Sequence, residues 1–155
     1  MKLAEALPLM LLACSLLLAG QNPPQKPAAK PAEDYSGMYS FQREGEFVQL
    51  TVEDAGRVTG FVSRFGDSES DRGAFLDQFF KTGKLDGTKL IFTTDTVHGV
   101  WYEFKGTVER GEGKTPANEG YYVMKGTLTE NRTDADKKVT SKSRDVVFKS
   151  FPHEG

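Results

Sequence analysis

The sequence predicts an all-β protein, an eight-stranded antiparallel up-and-down β-barrel over residues 35–152. Short segments rich in valine, phenylalanine, tyrosine and threonine follow one another through this region and are separated by turn residues. Several of them alternate between apolar and polar residues, and none has the pattern of a long amphipathic helix. The 11 phenylalanines, 5 tyrosines and 16 glycines of the 155-residue chain also favour strands and turns.

The strand boundaries follow from the turn residues. The segments REGE, EDAGR and LDGTK are typical of hairpin turns, because each contains a glycine that can adopt positive φ. Within 98–109, Val100, Tyr102 and Phe104 share one face while polar residues occupy much of the other, as in antiparallel sheets with one solvated face. Eight such strands can close into a barrel without open edges. The predicted strands are residues 36–43, 46–53, 57–65, 75–84, 88–95, 98–109, 119–130 and 139–150.

One segment is ambiguous between strand and helix. In DRGAFLDQFFKTG, the residues Phe75, Leu76, Phe79 and Phe80 have the spacing of one helical face. A short helix near 74–80 is therefore an alternative to part of the fourth strand.

The first 20 residues are typical of a bacterial secretory signal. Lys2 gives a positive start, residues 6–19 form an apolar run, and small residues follow. The run is too short to span a bilayer comfortably, because a spanning helix needs roughly 20 apolar residues. We therefore expect a cleaved signal and an exported protein that is periplasmic, secreted or on the cell surface.

Two cleavage positions are consistent with this leader. Cleavage after Ala19 or Gly20 removes Cys14, the only cysteine, and releases a free domain. Alternatively, Leu11-Leu12-Ala13-Cys14 resembles a lipobox, which makes residues 1–13 a lipoprotein signal and Cys14 the lipidated first residue. The proline-rich residues 21–34 are an extended linker and can serve as a tether in either case. The domain after the leader has no thiol, so cysteine catalysis and cysteine metal sites are excluded there.

Three segments resemble the calycin-like barrels, the lipocalins and especially the avidin-type proteins. SGMY resembles the opening of their first strand, GRVTGF resembles the third avidin-type strand, and GDSES follows that strand. The resemblance implies an eight-stranded meander barrel with a ligand mouth. It also implies a ligand-covering loop formed by Gly66, Asp67, Ser68, Glu69 and Ser70. Avidin-type biotin sites are walled by several tryptophans, whereas this chain has one, and biotin binding is not supported.

The polar residues give no catalytic set. Asp67, Glu69 and Asp71 are spaced carboxylates, but glycine comes one position late for a calcium loop, at Gly73, so we expect a solvated acidic loop without metal. The only histidines are His98, beside a turn, and one near the C-terminus. Without a nucleophile motif or a phosphate loop, we expect neither an enzyme nor a cofactor.

A surface patch is a further prediction. Alternation places Trp101, Tyr121 and Val123 on the outer face of neighbouring strands, where they form a candidate contact surface for a partner or a second copy.

These features favour a non-catalytic exported barrel that binds a small, partly apolar ligand in or at its mouth. The alternative is a cell-envelope structural or interaction module with a filled barrel and no small ligand. The expected partner of the protein is therefore an unknown small molecule under the first interpretation and an envelope protein under the second. Nucleic acid is excluded by a net charge of −2, and membrane contact is expected only through an N-terminal lipid.

Overall fold

Eight antiparallel strands pair in the order in which they follow one another along the chain. The structure is a computed structural model that describes residues 33–153. The predicted leader 1–20, with Cys14, and most of the predicted linker 21–34 lie outside the described residues. The strands are β1 (Gly37–Ser40), β2 (Phe47–Val52), β3 (Val58–Phe65), β4 (Phe75–Asp86), β5 (Lys89–Thr94), β6 (Val100–Arg110), β7 (Tyr122–Thr133) and β8 (Val139–Lys149).

The predicted all-β, eight-stranded antiparallel fold is confirmed. Two single 3-10 turns, Asp54–Gly56 and Glu69–Asp71, are the only helical elements in residues 33–153. No helix in this range is long and apolar enough to cross a lipid bilayer.

The first and last strands meet along a short seam. Tyr39 of β1 forms an antiparallel bridge with Ser150, directly after β8. The Phe151 N–H donates to the Met38 carbonyl at 2.8 Å, and the Lys149 N–H donates to the Ser40 hydroxyl at 3.0 Å. The sheet therefore curls until its two edges touch, which protects backbone groups that an open edge would expose.

The alternative of a short helix near 74–80 is wrong. This segment forms the beginning of β4, which pairs with β3 through Phe61–Phe79 and Phe65–Phe75. The same four apolar residues also fit a strand, because each adjacent pair, 75–76 and 79–80, places one residue on each face. Leu76 and Phe80 lie on the inner face, while Phe75 and Phe79 lie outside and are more than half exposed.

Aromatic rings fill the middle of the barrel. Phe92 stacks between Phe80 and Phe104, with ring centroids 4.3 and 5.3 Å away. Phe148 continues this contact from β8, 6.2 Å from the Phe104 centroid. Phe41 then lies 5.2 Å from the rings of both Phe148 and Tyr102. This chain of rings occupies the space that an open barrel would leave for a ligand.

Two facing glycines allow β6 and β7 to approach closely. Gly106 pairs directly with Gly126. A Cβ atom on Gly106 would lie 2.1 Å from the Lys125 carbonyl oxygen and 2.7 Å from the Gly126 Cα. Side chains at these positions would force the two strands apart.

Candidate functional site

Four of the connecting loops gather at one end of the barrel. Because consecutive strands are antiparallel, the β1–β2, β3–β4, β5–β6 and β7–β8 connections all lie at this end, called the loop end below. Several inward side chains near the loop end carry polar groups, in contrast to the aromatic middle. They are Arg64 of β3, Gln78 of β4, Thr94 of β5 and Tyr102 of β6.

Arg64 lies inside the barrel with its side chain only 2% exposed. Its Nε–H donates to the Gln78 side-chain oxygen. The Gln78 amide nitrogen in turn donates to the backbone carbonyls of Asp95 at 3.1 Å and Val100 at 2.8 Å. Gln78 therefore fixes the orientation of the guanidinium.

Tyr102 packs beside this cation. The Arg64 guanidinium carbon lies 6.0 Å from the centre of the Tyr102 ring, a cation–π distance. Burial raises the pKa of Tyr102 to about 12, and the nearby Arg64 charge offsets only part of that rise. The phenol is thus neutral at physiological pH and supplies no negative charge to Arg64.

Three arginines from separate elements converge on the Asp67 carboxylate. Asp67 Oδ2 accepts from Arg132 at 2.6 Å and from Arg64 at 3.3 Å, while Oδ1 lies 3.5 Å from Arg43. Burial alone would raise the pKa of Asp67. The hydrogen bond from Arg132 and the charges of the three arginines outweigh burial and hold this pKa below its usual value.

Two of these arginines have a second carboxylate partner. Arg43 pairs with the buried Glu46 at 2.7 Å, and Arg132 pairs with Glu130 at 2.6 Å. Arg64 differs, because within residues 33–153 its only acidic partner is Asp67.

The rest of the β3–β4 connection is held by its own polar contacts. Asp71 accepts a hydrogen bond from the Ser68 hydroxyl at 2.7 Å and lies 2.6 Å from His98 Nδ1. These two contacts, with Ser68 contributing most, lower the pKa of Asp71. The Gly66 N–H donates to the Ala74 carbonyl and closes the base of the loop.

The predicted covering loop therefore lies at the loop end, but its acidic residues differ in role. Asp67 pairs with three arginines, whereas Glu69 has an exposed side chain. Asp71, which contacts His98, directly follows the predicted loop. Within residues 33–153, no three His, Cys, Asp or Glu side chains come close enough to hold a metal ion together.

A cavity of about 80 Å³ lies beneath this loop. Its walls combine charged groups with the apolar side chains of Leu76 and Val100. This volume is well below the roughly 300 Å³ of the smallest pockets that take drug-sized ligands. In the closed arrangement it fits only a few non-hydrogen atoms.

Sequence reasoning missed Arg64, although the sequence contains the signal. In VTGFVSRF, Val58, Val62 and Arg64 have the same parity, and the two valines are buried. A charged residue at an inward position of a predicted strand is an unusual signal, because charged side chains are seldom fully buried unless they are paired.

The predicted surface patch is not formed. Trp101 pairs with Asn131, whereas Val123 pairs with Glu109, eight positions away on β7. At about 3.3 Å per residue these positions are roughly 26 Å apart. Val123 is also buried, and Tyr121 lies beneath Arg110, whose guanidinium carbon is 3.6 Å from its ring centre. The prediction failed because alternation shows on which face of the sheet a residue lies but not which residues of the neighbouring strand it contacts, which depends on register.

Phenylalanines on β2, β3 and β4 form an outer row instead. Phe61 lies 5.8 Å from Phe47 and 5.5 Å from Phe79 between ring centroids. Phe65 and Phe75 form a second pair at 4.4 Å toward the loop end. We call these five residues the outer phenylalanine row.

The fold is that of avidin-type proteins. The chain superposes on rhizavidin with a TM-score of 0.57 at 12% identity, covering 77% of this chain and 84% of rhizavidin. A rhizavidin–biotin complex gives a TM-score of 0.55 at 12% identity, covering 74% of this chain and 98% of that one. Apo short afifavidin gives 0.53 at 14% identity, over 74% and 94% of the two chains. No family model and no curated protein matches the sequence. The predicted calycin-like resemblance is thereby confirmed at the level of fold.

Proposed function

We propose that this protein binds a small molecule at the loop end of its barrel, with Arg64 as the principal contact. One observation carries the proposal: a permanently charged guanidinium is enclosed in the barrel interior beneath a loop. Burying a charge costs several kcal/mol unless partners compensate it, so cores seldom contain one for stability alone. A fixed, buried arginine facing a cavity is better explained by recognition.

The solved structures of similar fold support a binding role. Rhizavidin and bradavidin2 have each been solved as biotin complexes. In this chain aromatic rings fill the middle of the barrel, and its single tryptophan lies on the outer face. The ligand proposed here is therefore different from biotin, and it contacts Arg64 and Tyr102 at the loop end.

The size of the cavity sets a requirement on the loop. Leu76 and Val100 provide apolar contacts for a small, partly apolar ligand, but the closed cavity is small. Binding therefore involves displacement of the β3–β4 loop, which is the covering role predicted from the sequence. We further propose that the protein acts after export, with residues 21–34 as spacer, and that it binds its ligand without turnover.

Native mass spectrometry of the protein purified from its own host tests this function. The expected result is one small-molecule adduct on the wild-type protein, its loss in Arg64→Met, and its retention in Arg57→Gln. Arg57 is a matched control, because it is exposed and pairs with Glu53 at the opposite end of the barrel. An adduct that persists in Arg64→Met, or a wild-type protein without any adduct, contradicts the proposal.

A second candidate function is self-association through the outer phenylalanine row. Phe79 and Phe75 are 59% and 51% exposed, and an apolar surface of this kind commonly marks an interface. The charges that flank Phe79 suit a symmetric dimer. Asp77 and Lys81 each lie two positions from Phe79, so a two-fold axis through Phe79 places Asp77 of one copy opposite Lys81 of the other. This candidate corresponds to the envelope interaction module.

Sedimentation velocity separates the two candidates. Self-association predicts a dimer for the wild type, a monomer for Phe79→Ser, and a dimer for Val147→Ser. Val147 is similarly exposed on β8, outside the row, and serves as the control. A monomeric wild type at the highest soluble concentration eliminates this candidate and leaves ligand binding unaffected.

A further inference from the structure

The Asp67 carboxylate lies where a ligand would have to place an anionic group to reach Arg64. We infer that the loop end takes a small carboxylate-bearing ligand, and that Asp67 is an internal substitute which this ligand displaces. The inference rests on the proposed function. It adds the chemical class of the ligand and explains how Asp67 closes the site when no ligand is bound.

The charges around Asp67 identify the arginine that needs the ligand. With Asp67 removed, Arg43 would keep Glu46 and Arg132 would keep Glu130. Arg64 would keep the neutral Gln78 and the Phe65 carbonyl, at 3.2 Å, but no acidic group among residues 33–153. A buried cation that loses its only counter-charge is destabilised, so the loop opens more readily when another anion replaces Asp67.

The arrangement of donors favours a carboxylate. Asp67 uses both of its oxygens, one facing Arg43 and the other shared by Arg64 and Arg132. The donors come from the β1–β2 loop, β3 and β7, so none of them belongs to the β3–β4 loop that carries Asp67. Guanidinium groups match the planar shape of a carboxylate, and their bonds to it are stronger than those between neutral groups.

The rest of the ligand is short and apolar. Leu76 and Val100 line the cavity together with Arg64 and Arg132, and its volume is only about 80 Å³. A carboxylate with a chain of a few carbons meets both conditions once the Asp67 side chain has left. Butyrate is a suitable probe, and butyramide is its neutral counterpart of nearly the same shape.

Calorimetric titration of both probes into three forms of the protein tests the inference. Asp67→Asn removes the competing carboxylate, so butyrate should bind about tenfold more tightly than to the wild type, a difference of about 1.4 kcal/mol. The affinity for butyramide should be the same in all three forms of the protein. Asp71→Asn is the comparison variant, because it releases the loop from His98 without freeing an arginine, and any gain in butyrate affinity should be well below that of Asp67→Asn.

Three results would overturn the inference. The first is unchanged or weaker butyrate binding in Asp67→Asn. The second is an equal gain in Asp71→Asn, which would mean that loop release alone matters. The third is an equal gain for butyramide, or for inorganic phosphate, which would mean that carboxylate recognition is not involved. A neutral adduct lost in Arg64→Met during native mass spectrometry would likewise refute the carboxylate while leaving the proposed function intact.

Amide hydrogen exchange of the wild-type protein tests the same inference without relying on a variant that has to fold. If butyrate displaces Asp67, saturating butyrate should speed amide hydrogen exchange in residues 66–74 and leave exchange in β6 and β7 unchanged. Unaltered or slower exchange in residues 66–74 at saturation would show that the ligand does not displace the loop.

Discussion

The Asp67 carboxylate accepts a hydrogen bond from Arg132 at 2.6 Å although the two residues are 65 positions apart in sequence. This contact joins the β3–β4 loop to the end of β7 across the mouth of the barrel. It also places the same carboxylate within 3.3 Å of the buried Arg64. Closure of the barrel end and neutralisation of its interior charge therefore depend on one side chain.

Stability in acid should reveal this role of Asp67. Its folded-state pKa is lowered below 3.8, so its stabilising contribution is complete above 3.8 and is lost as pH falls through the lower folded value. The charged groups facing it are the guanidiniums of Arg43, Arg64 and Arg132. The free energy of unfolding of the wild type should therefore fall more steeply below pH 3.8 than that of Asp67→Asn.

Urea unfolding at neutral and acidic pH measures this difference. At neutral pH we expect Asp67→Asn to be less stable by about 1 kcal/mol, since the carboxylate is partly exposed and its ion pairs are screened by solvent. Asp86→Asn, an exposed aspartate at the end of β4, is the control and should behave as the wild type. Identical acid slopes for Asp67→Asn and the wild type would show that the three arginines do not stabilise the ionised carboxylate.

The Gln78 contacts predict a second effect. Gln78→Leu removes the acceptor of the Arg64 Nε–H and the side-chain donor to the Asp95 carbonyl, while the Val100 carbonyl keeps the Val97 N–H. Buried groups without partners cost about 1–3 kcal/mol each, and partial relaxation should leave a net loss of about 2–4 kcal/mol. Thermal unfolding followed by circular dichroism measures it. A loss below 1 kcal/mol would mean that water replaces the amide.

The inner and outer faces of the barrel can be distinguished by matched phenylalanine substitutions. Phe92→Ala empties the centre of the aromatic stack and should cost about 3–5 kcal/mol. Phe79→Ala, on the exposed face of the adjacent strand, should cost the monomer less than about 1 kcal/mol. Denaturant unfolding of both variants at low protein concentration gives the comparison, and similar losses would contradict the assignment of faces.

The contact between Gly106 and Gly126 leads to another prediction. Gly106→Ala places a Cβ against the Lys125 carbonyl, so β6 and β7 must separate, at a cost of about 2–4 kcal/mol. Lys105→Ala changes the neighbouring exposed residue and should cost less than about 0.5 kcal/mol. A neutral Gly106→Ala would mean that the strands tolerate wider spacing at this point.

The fold was accessible from the sequence because antiparallel strands carry a period-two pattern. Val100, Tyr102 and Phe104 alternate with less buried residues, and each is buried as predicted. The segment beginning at Phe75 was ambiguous, since its four apolar residues satisfy a helical stripe and a two-faced strand equally. Pairing with β3, which is non-local, decides in favour of the strand.

The candidate site was only partly accessible. The position of residues 66–70 after the third strand was predicted, and parity marks Arg64 as inward. The convergence of Arg43 and Arg132 on Asp67 depends on tertiary contacts between distant segments, for which the sequence carries no periodic signal. The failed grouping of Trp101 with Val123 has the same origin, because their separation depends on strand register.

A crystal structure of the Asp67→Asn protein grown with butyrate tests the central claim most directly. The account predicts a bound carboxylate within hydrogen-bond distance of the Arg64 guanidinium, with its alkyl chain against Leu76 and Val100. A mouth that contains only the asparagine side chain and water at saturating butyrate, or butyrate bound solely on the outer surface, would contradict it.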